Sequence, residues 1–299
     1  MLVANPKSGS GAVARHLPEI ERSLKEAGLS YRVFTTSQPG DATTATRAAL
    51  LAGETFIVAV GGDGTVHEVV NGMFEDGRPI APQPVLGVIA AGSGCDFIKT
   101  FGLPEDVSRA CGHLGGSNVF AIDVGKITFL DGNGAQTVRY FPNIAEVGLG
   151  GAVVARAERL PRFFGRSRYF FGFWLTLPRF KRFVVDLEAG QKAFRGGAYN
   201  VVVANGQFYG GGMRISPRSW PSDGLLDVIV MTGPKSDSFT TLPKVYRGEH
   251  LPHPNMQELK ARTVRVDADR PLPIEADGEV LGTTPASFEV LPEAIRVKV

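Results

Sequence analysis

At 299 residues, with 43% hydrophobic and 21% charged side chains, the chain has the composition of a globular protein long enough for about two domains. Its net charge of +2 divides unevenly, with 9 Lys/Arg against 13 Asp/Glu up to Val124 and 23 against 17 beyond it, which argues against a nucleic-acid partner for the front half and suits an anionic membrane for the back half. No apolar run approaches the ~18 residues of a spanning helix, MLVANPKSGS lacks a secretory layout, and Cys95 and Cys111 form neither a metal-ligand pattern nor a disulfide framework, so a cytoplasmic setting is expected.

LVAN opens as a strand, and Val13, Leu17, Ile20 and Leu24 follow a helical period that Pro18 is expected to kink or restart and Gly28 to end. YRVFTT reads as a second strand, and Asp41 is expected to N-cap an alanine-rich helix stopping at Gly53. FIVAV, a short unbroken apolar run, reads as a strand buried on both faces. The next helix is expected to begin near Thr65, since Val66, Val69, Val70 and Met73 share a face and Thr65 with Glu68 fits a T-x-x-E capping box. PVLGVIAA is a further buried strand and CDFIKTF a helix. This alternation predicts an α/β domain over residues 1–124, a parallel sheet with helices on both faces. Beyond about Ile122 the style changes to short strands separated by Gly, Pro and Asp turns: VFAIDVGKITFL, GAYNVVVANGQF, LLDVIVMT, TVRVDA, ASFEVL and AIRVKV. They predict a β-rich, mostly antiparallel domain over 125–299 with a helical insertion near 152–183, its last strand free to return to the first domain.

The chemistry concentrates at three loops that leave strand ends, where ligands of parallel sheets bind. In FIVAVGGDGTVHEVVNG, one glycine would suffice to change direction, yet Gly61, Gly62 and Gly64 surround Asp63. Such spare loops suit close backbone approach by a phosphate at a helix N-terminus. Asp63 alone would repel that phosphate and the helix dipole contributes only ~0.3–1 kcal/mol, so magnesium is expected to arrive with it, drawn by Asp63 directly or through water. NPKSGSG (Asn5–Gly11) and AAGSGCDF (Ala90–Phe97) are the other two loops. Gly9, Gly11 and Ala14 match the dinucleotide pattern G-x-G-x-x-A, but NPKS separates the strand from the first glycine and no acid ends the second strand. No G-x-x-x-x-G-K-[ST] P-loop occurs.

GGDGT followed by HEVVNG, after NPKSGSG and before GSGCDF, resembles the diacylglycerol-kinase catalytic family, which includes bacterial soluble lipid kinases and, more distantly, sphingosine and ceramide kinases. The resemblance continues through IDVGK (Ile122–Lys126), FPNIAEVGLGG (Phe141–Gly151), YGGGMRISPRSWPSDGLLDV (Tyr209–Val228) and ADGE (Ala276–Glu279). It implies an NAD-kinase/diacylglycerol-kinase-like fold that phosphorylates a lipid hydroxyl with ATP in a cleft between the two domains. It places Asn5, Thr36, Gly61, Gly62, Asp63, Gly64, Thr65, His67 and Ser93 at nucleotide contacts. It gives Asp63, Asp96 and Asp123 a catalytic magnesium, organised through water, and gives Asp223, with the carbonyls of Trp220 and Leu225, a structural one. Glu279 becomes the catalytic base, with Asp63 as the other catalytic residue. Where the family has G-T-x-N-D this chain has Gly92-Ser93-Gly94-Cys95-Asp96: serine keeps a hydroxyl, while Cys95 loses an amide.

An alcohol is a poor nucleophile at neutral pH, and a positioned base speeds attack by ~10²–10⁴-fold. The remaining work of phosphoryl transfer is alignment and charge neutralisation. Asp277-Gly278 is also a hairpin signal, under which Glu279 merely begins a strand. From Leu160 to Leu187, Arg162, Arg166, Arg168, Arg179, Lys181 and Arg182 interleave with Phe163, Phe164, Tyr169, Phe170, Phe171, Phe173, Trp174, Phe180 and Phe183. The aromatics suit either acyl chains or the domain's own core, and the cations suit anionic head groups at roughly 1 kcal/mol each. The expectation is an ATP- and Mg²⁺-dependent lipid kinase with a diacylglycerol-like acceptor, peripheral to the membrane, with no nucleic-acid partner and a homodimer left open. Two rivals stand beside it. An NAD kinase shares GGDGT, but the GSGCDF loop and the lack of a T-P-T-G-S-T-A-Y-like stretch count against it. The other is a catalytically silent lipid-binding protein.

Overall fold

The structure is a computed structural model and describes residues 1–92, 95–161, 165 and 167–299. The chain divides into two compact units, Met1–Asp123 with Pro292–Val299, and Val124–Leu291.

The first unit runs β1 (Leu2–Ala4), α1 (Ser8–Glu26), β2 (Val33–Thr35), α2 (Asp41–Leu51), β3 (Phe56–Val60), α3 (Asp63–Gly72), a small hairpin of β4 (Phe74–Glu75) and β5 (Arg78–Pro79), β6 (Val85–Ile89), α4 (Phe97–Phe101) and α5 (Val107–Leu114). Strands lie in the order β6-β3-β1-β2, all parallel, so their carboxyl ends share one edge. The buried strand runs Leu2–Ala4, Ile57–Val60 and Leu86–Ile89 face helices that contribute Val13, Ile20, Leu24, Ala110 and Leu114 to one core.

Local signals were overruled in several places. The break in α1 lies at Gly9, Ser10 and Gly11, all left-handed (φ 59, 56 and 84°), while Pro18 sits inside the helix. Asp41 does not cap α2: left-handed Gly40 holds that place, and the Asp41 carboxylate accepts Ser37 N, Ser37 Oγ and Gln38 N instead. Helix α3 starts at Asp63 rather than Thr65, because extended Gly62 lets the chain turn straight off the strand. No capping box forms. Glu68 Oε2 accepts the N–H of Ala42 at 3.1 Å, in the first turn of α2, so the carboxylate meets a neighbouring helix rather than its own.

The second unit contains the bulk of β7 (Val119–Leu130), then β8 (Gln136–Phe141), β9 (Ile144–Gly148), α6 (Leu149–Glu158), α7 (Ser167–Thr176), β10 (Phe183–Ala189), β11 (Lys192–Ala198), β12 (Asn200–Ala204), β13 (Leu226–Met231), α8 (Asp237–Arg247), β14 (Met256–Ala261), β15 (Thr263–Ala268), β16 (Pro273–Ala276) and most of β17 (Glu279–Lys298). The pairs of β8 with β7, β9 with β12 and β16, β10 with β11 and β15, β13 with β12 and β14, and β17 with β15 and β16 are antiparallel, as the turn-rich pattern predicts. In β10 the alternation is clean: Phe183, Val185, Leu187 and Ala189 point into the core while the residues between them face out. ASFEVL and AIRVKV, read as two strands, are one, with a left-handed residue at Glu293 (φ 47°) inside it. Its end belongs to the first unit, where Arg296 and Val297 pair in parallel with Val85 and Leu86 of β6.

Candidate active site

The ladder of the first sheet continues one residue past the strands, and this lines up the loop residues. Thr36 N donates to Ala4 O, Asn5 N to Val60 O, and Gly61 N to Ile89 O. Thr36, Asn5, Gly61 and the loop after β6 therefore stand in a row at the carboxyl edge. Glycines let the loops touch. A methyl group on Gly92 would lie 2.5 Å from Ser8 Oγ and 3.2 Å from Gly62 N, and one on Gly61 would collide with the Thr65 side chain. All three glycine-rich loops thus meet. Ser10 holds a left-handed backbone that costs a non-glycine residue on the order of 1–3 kcal/mol, a strain that clusters at binding sites.

Thr65 and His67 are buried in α3, and Gly64 sits in its first turn. Ser93, with Gly94, lies outside the described residues, as do Arg162, Phe163, Phe164 and Arg166. Asp63 opens α3 and reaches the third loop: Oδ1 accepts Asp96 N at 2.9 Å and Phe97 N at 3.1 Å, and Oδ2 accepts Asp96 N at 3.1 Å. Its carboxylate thereby serves the free N–H groups at the start of α4. Cys95 is buried and its thiol hydrogen-bonds Asp63. Burial, then the Asp63 charge, pushes the thiol well above its usual pKa. Asp96 is buried and accepts Lys99 Nζ at 2.8 Å, and buried Asp123 accepts Glu293 N at 2.8 Å.

Among the described residues no three His, Cys, Asp or Glu side chains converge as a ready-made metal site. Asp63 and Asp123 already accept backbone N–H groups and Asp96 the Lys99 ammonium, so a hard cation here would rely on its own waters and on phosphate oxygens, which is how magnesium usually binds. At the Asp223 loop two carboxylates share one ammonium. Lys260 Nζ stands 2.7 Å from Asp223 Oδ2 and 3.3 Å from Asp227 Oδ2, supplying the positive charge itself. Burial works against that ammonium, but the two acids outweigh it and raise its pKa. Asp223 Oδ1 accepts Leu225 N, and the Trp220 carbonyl accepts Ser222 N and Asp223 N.

In the second unit Asp277 and Gly278 form a two-residue turn with left-handed φ of 50 and 87°, and Glu279, half-buried, pairs with Ala276 as the first residue of β17. Asp277 is clamped to β9, donating its N–H to Ile144 O and accepting Ile144 N on Oδ1. Close by, Glu146 and Glu275 are buried acids that no motif singles out. The signal for them is a carboxylate set within the apolar strands IAEVG and PIEA. A cavity of about 410 Å³ on the second unit is lined by both Lys126 and Arg265 and both Glu188 and Glu289, and so offers no single sign of charge to a triphosphate.

The aromatics of 160–187 divide. Phe180 and Phe183 pack with the sheet core and Phe173 beside Leu149 and Val153, whereas Phe170 and Phe171 are 52% and 42% exposed. Trp174 stacks on Phe239 of α8, ring centroids 4.9 Å apart, and Phe239 is itself 67% exposed. No helix among the described residues is long and apolar enough to cross a membrane.

Residues 1–127 match the family model described as the diacylglycerol kinase catalytic domain, and residues 143–299 that described as the YegS C-terminal NAD kinase beta sandwich-like domain. A diacylglycerol kinase of Bacillus subtilis is 30% identical over 299 residues, covering 99% of this chain and 94% of that protein. The crystal structure of a diacylglycerol kinase from Bacillus anthracis superposes with a TM-score of 0.73 at 25% identity, over 99% of this chain and 95% of that one. Yeast NADH kinase is similar in fold alone, with a TM-score of 0.50 at 11% identity over 99% of this chain and 81% of that one. Two family models that between them span both units, and a relative matched nearly end to end, agree with the three glycine-rich loops gathered at one sheet edge: this chain belongs to the diacylglycerol kinase family.

Proposed function

We propose that the chain transfers the γ-phosphate of ATP to the hydroxyl of a diacylglycerol-like lipid. Family membership implies ATP as the donor, and the convergence of the loops around Ser8, Gly61, Gly62 and Gly92 is the observation that carries the reading. Such a gathering of small residues, with the N-terminus of α3 beside it, is suited to phosphate oxygens. Asn5, Thr36, Gly61, Gly62, Gly64, Thr65, His67 and Ser93 are assigned to the nucleotide. Magnesium would be held on the triphosphate by Asp63, with Asp96 and Asp123 ordering its waters, and supplies neutralisation of phosphate charge. At Asp223 the balancing cation is assigned to Lys260 rather than to a second magnesium, on the two short distances above. Glu279 is the group proposed to take the hydroxyl proton. The exposed aromatics of α7 and α8, rimmed by Arg179 and Lys235, are proposed to rest on an anionic membrane where the substrate resides.

A transfer assay with labelled ATP over a panel of lipid alcohols in mixed micelles, with NAD as a parallel acceptor, tests this reading. Phosphorylated diacylglycerol is the expected product, and Glu279→Gln is expected to keep ATP binding while losing ~10²–10⁴-fold in kcat. Transfer to NAD alone would move the chain to the rival kinase activity. Vesicle binding with no magnesium-dependent ATP consumption would make it a silent lipid-binding protein.

A further inference from the structure

Glu146 on β9 and Glu275 on β16 face each other as direct cross-strand partners, 1% and 2% exposed. Among the described residues neither forms an ion pair, although a buried carboxylate is costly without a cation. What surrounds them is a set of hydrogen bonds. Asn200 Nδ2 on β12 donates to Glu146 Oε1 at 2.6 Å, and the hydroxyl of half-buried Tyr209 stands beside Glu146. Gly278 N donates to Glu275 Oε2 at 2.9 Å. Two carboxylates buried side by side on paired strands with no cation between them cannot both stay ionised, so one carboxyl must keep its proton and can donate to the other. Space for this arrangement is reserved: a side chain on Gly150 would run into the Glu146 carboxylate.

We infer that Glu146 and Glu275 share one proton, and that the protonated pair is the positioning element of the Asp277–Gly278–Glu279 turn. The inference rests on the reading of Glu279 as the base. The proton belongs on Glu275: its O–H can donate to Glu146, which already gathers the Asn200 and Tyr209 donors, while its other oxygen accepts Gly278 N–H. The turn is then tied at two points, by Glu275 to Gly278 and by Asp277 to Ile144, which fixes where Glu279 leaves it. The neighbours that face the pair favour a single proton. Asn200 and Tyr209 bring donors to Glu146, Asp277 adds a further negative charge beside Glu275, and Tyr246 from α8 faces Tyr209. Burial, only partly offset by the hydrogen bonds from Asn200, Glu275 and Tyr209, lifts Glu146 to about 7. Burial, then the Glu146 charge, lifts Glu275 well above the usual carboxylate range.

The sign follows from linkage. The native pair binds protons that the unfolded chain releases near its ordinary carboxylate pKa, so its contribution is greatest in acid and is lost as pH rises through about 7 and above. Glutamine at position 275 reproduces the protonated acid, its amide donating to Glu146 and its carbonyl accepting Gly278 N–H, but cannot lose a proton. The test compares wild type, Glu275→Gln and Glu275→Leu in melting and transfer assays from pH 5 to 9, with Glu279→Gln in parallel. Glu275→Gln is expected to retain wild-type kcat and to gain Tm over wild type increasingly toward pH 9. Glu275→Leu is expected to bind ATP normally and lose ~10²-fold in kcat, the scale on which about 1 Å of misplacement acts. A Glu275→Gln Tm that declines with pH as the wild type does would overturn the shared proton. Full kcat in Glu275→Leu would overturn the positioning role, whereas full activity in Glu279→Gln would instead remove the base.

Discussion

The Asp63 carboxylate accepts the backbone N–H groups of Asp96 and Phe97 and bonds the Cys95 thiol, and it is also the group assigned to magnesium. These roles separate by substitution, because asparagine caps a helix about as well as aspartate but carries no charge. Asp63→Asn is expected to melt near the wild-type temperature and to need more magnesium for half-maximal transfer. Asp63→Ala is expected to lose about 0.5–2 kcal/mol of stability as well, the usual cost of removing a capping oxygen. Melting curves and magnesium titrations of the two variants check this, and an unchanged magnesium requirement in Asp63→Asn would leave Asp63 as a cap only. The sequence marks Asp63 as chemically special through its glycines, yet cannot show this second duty, which depends on a loop 33 residues away. Lys260 is hidden for the same reason, meeting Asp223 across 37 residues that carry no pattern relating the two.

At the scale of elements, the three loops were legible because a parallel sheet puts every strand's carboxyl end on one edge, so glycine-rich segments after β1, β3 and β6 had to be neighbours. What local pattern could not resolve were helix starts and strand joins. Thr65 and Glu68 satisfy a capping box on paper, but the N–H of Ala42 draws Glu68 to the adjacent helix. The proximity of the loops gives a matched pair of glycine tests. On Gly92 a methyl group would press on the backbone of Gly62 as well as on Ser8, and a backbone cannot step aside as a side chain can. Overpacking costs roughly 1–3 kcal/mol, so Gly92→Ala is expected to weaken ATP binding by about tenfold or more. Gly112, inside α5, has nothing within 4 Å of the same position, and Gly112→Ala is expected to leave ATP binding alone and to gain about 0.4–1 kcal/mol of stability. Nucleotide titration calorimetry beside thermal melts distinguishes them, and equal ATP affinity in both variants would refute the close-packed loops.

Over the whole molecule, the charge inequality between front and back halves gives the proposed membrane association a direction that the net +2 conceals. The second unit adds aromatics held out of its core: Phe170 and Phe171 on α7 and Phe239 on α8, with Arg179 bonded to the Leu175 carbonyl and Lys235 to that of Pro178 at the rim. The two contributions differ in their response to salt. A basic residue near an anionic surface is worth about 1 kcal/mol at low ionic strength, and the Debye length shrinks from about 10 Å at 0.1 M to about 3 Å at 1 M. Burying a phenylalanine is worth about 1.5–3 kcal/mol and is not screened. Sedimentation with vesicles containing anionic lipid is therefore expected to show Lys235→Ala weakened about fivefold at low salt and indistinguishable from wild type at high salt. Phe239→Ala should be weakened at both. Replacing the anionic lipid with a zwitterionic one should copy Lys235→Ala, since it removes the same attraction from the other side. If Phe239→Ala sediments like wild type under every condition, the α7 and α8 aromatics are an ordinary exposed surface and the lipid must be met elsewhere on the chain.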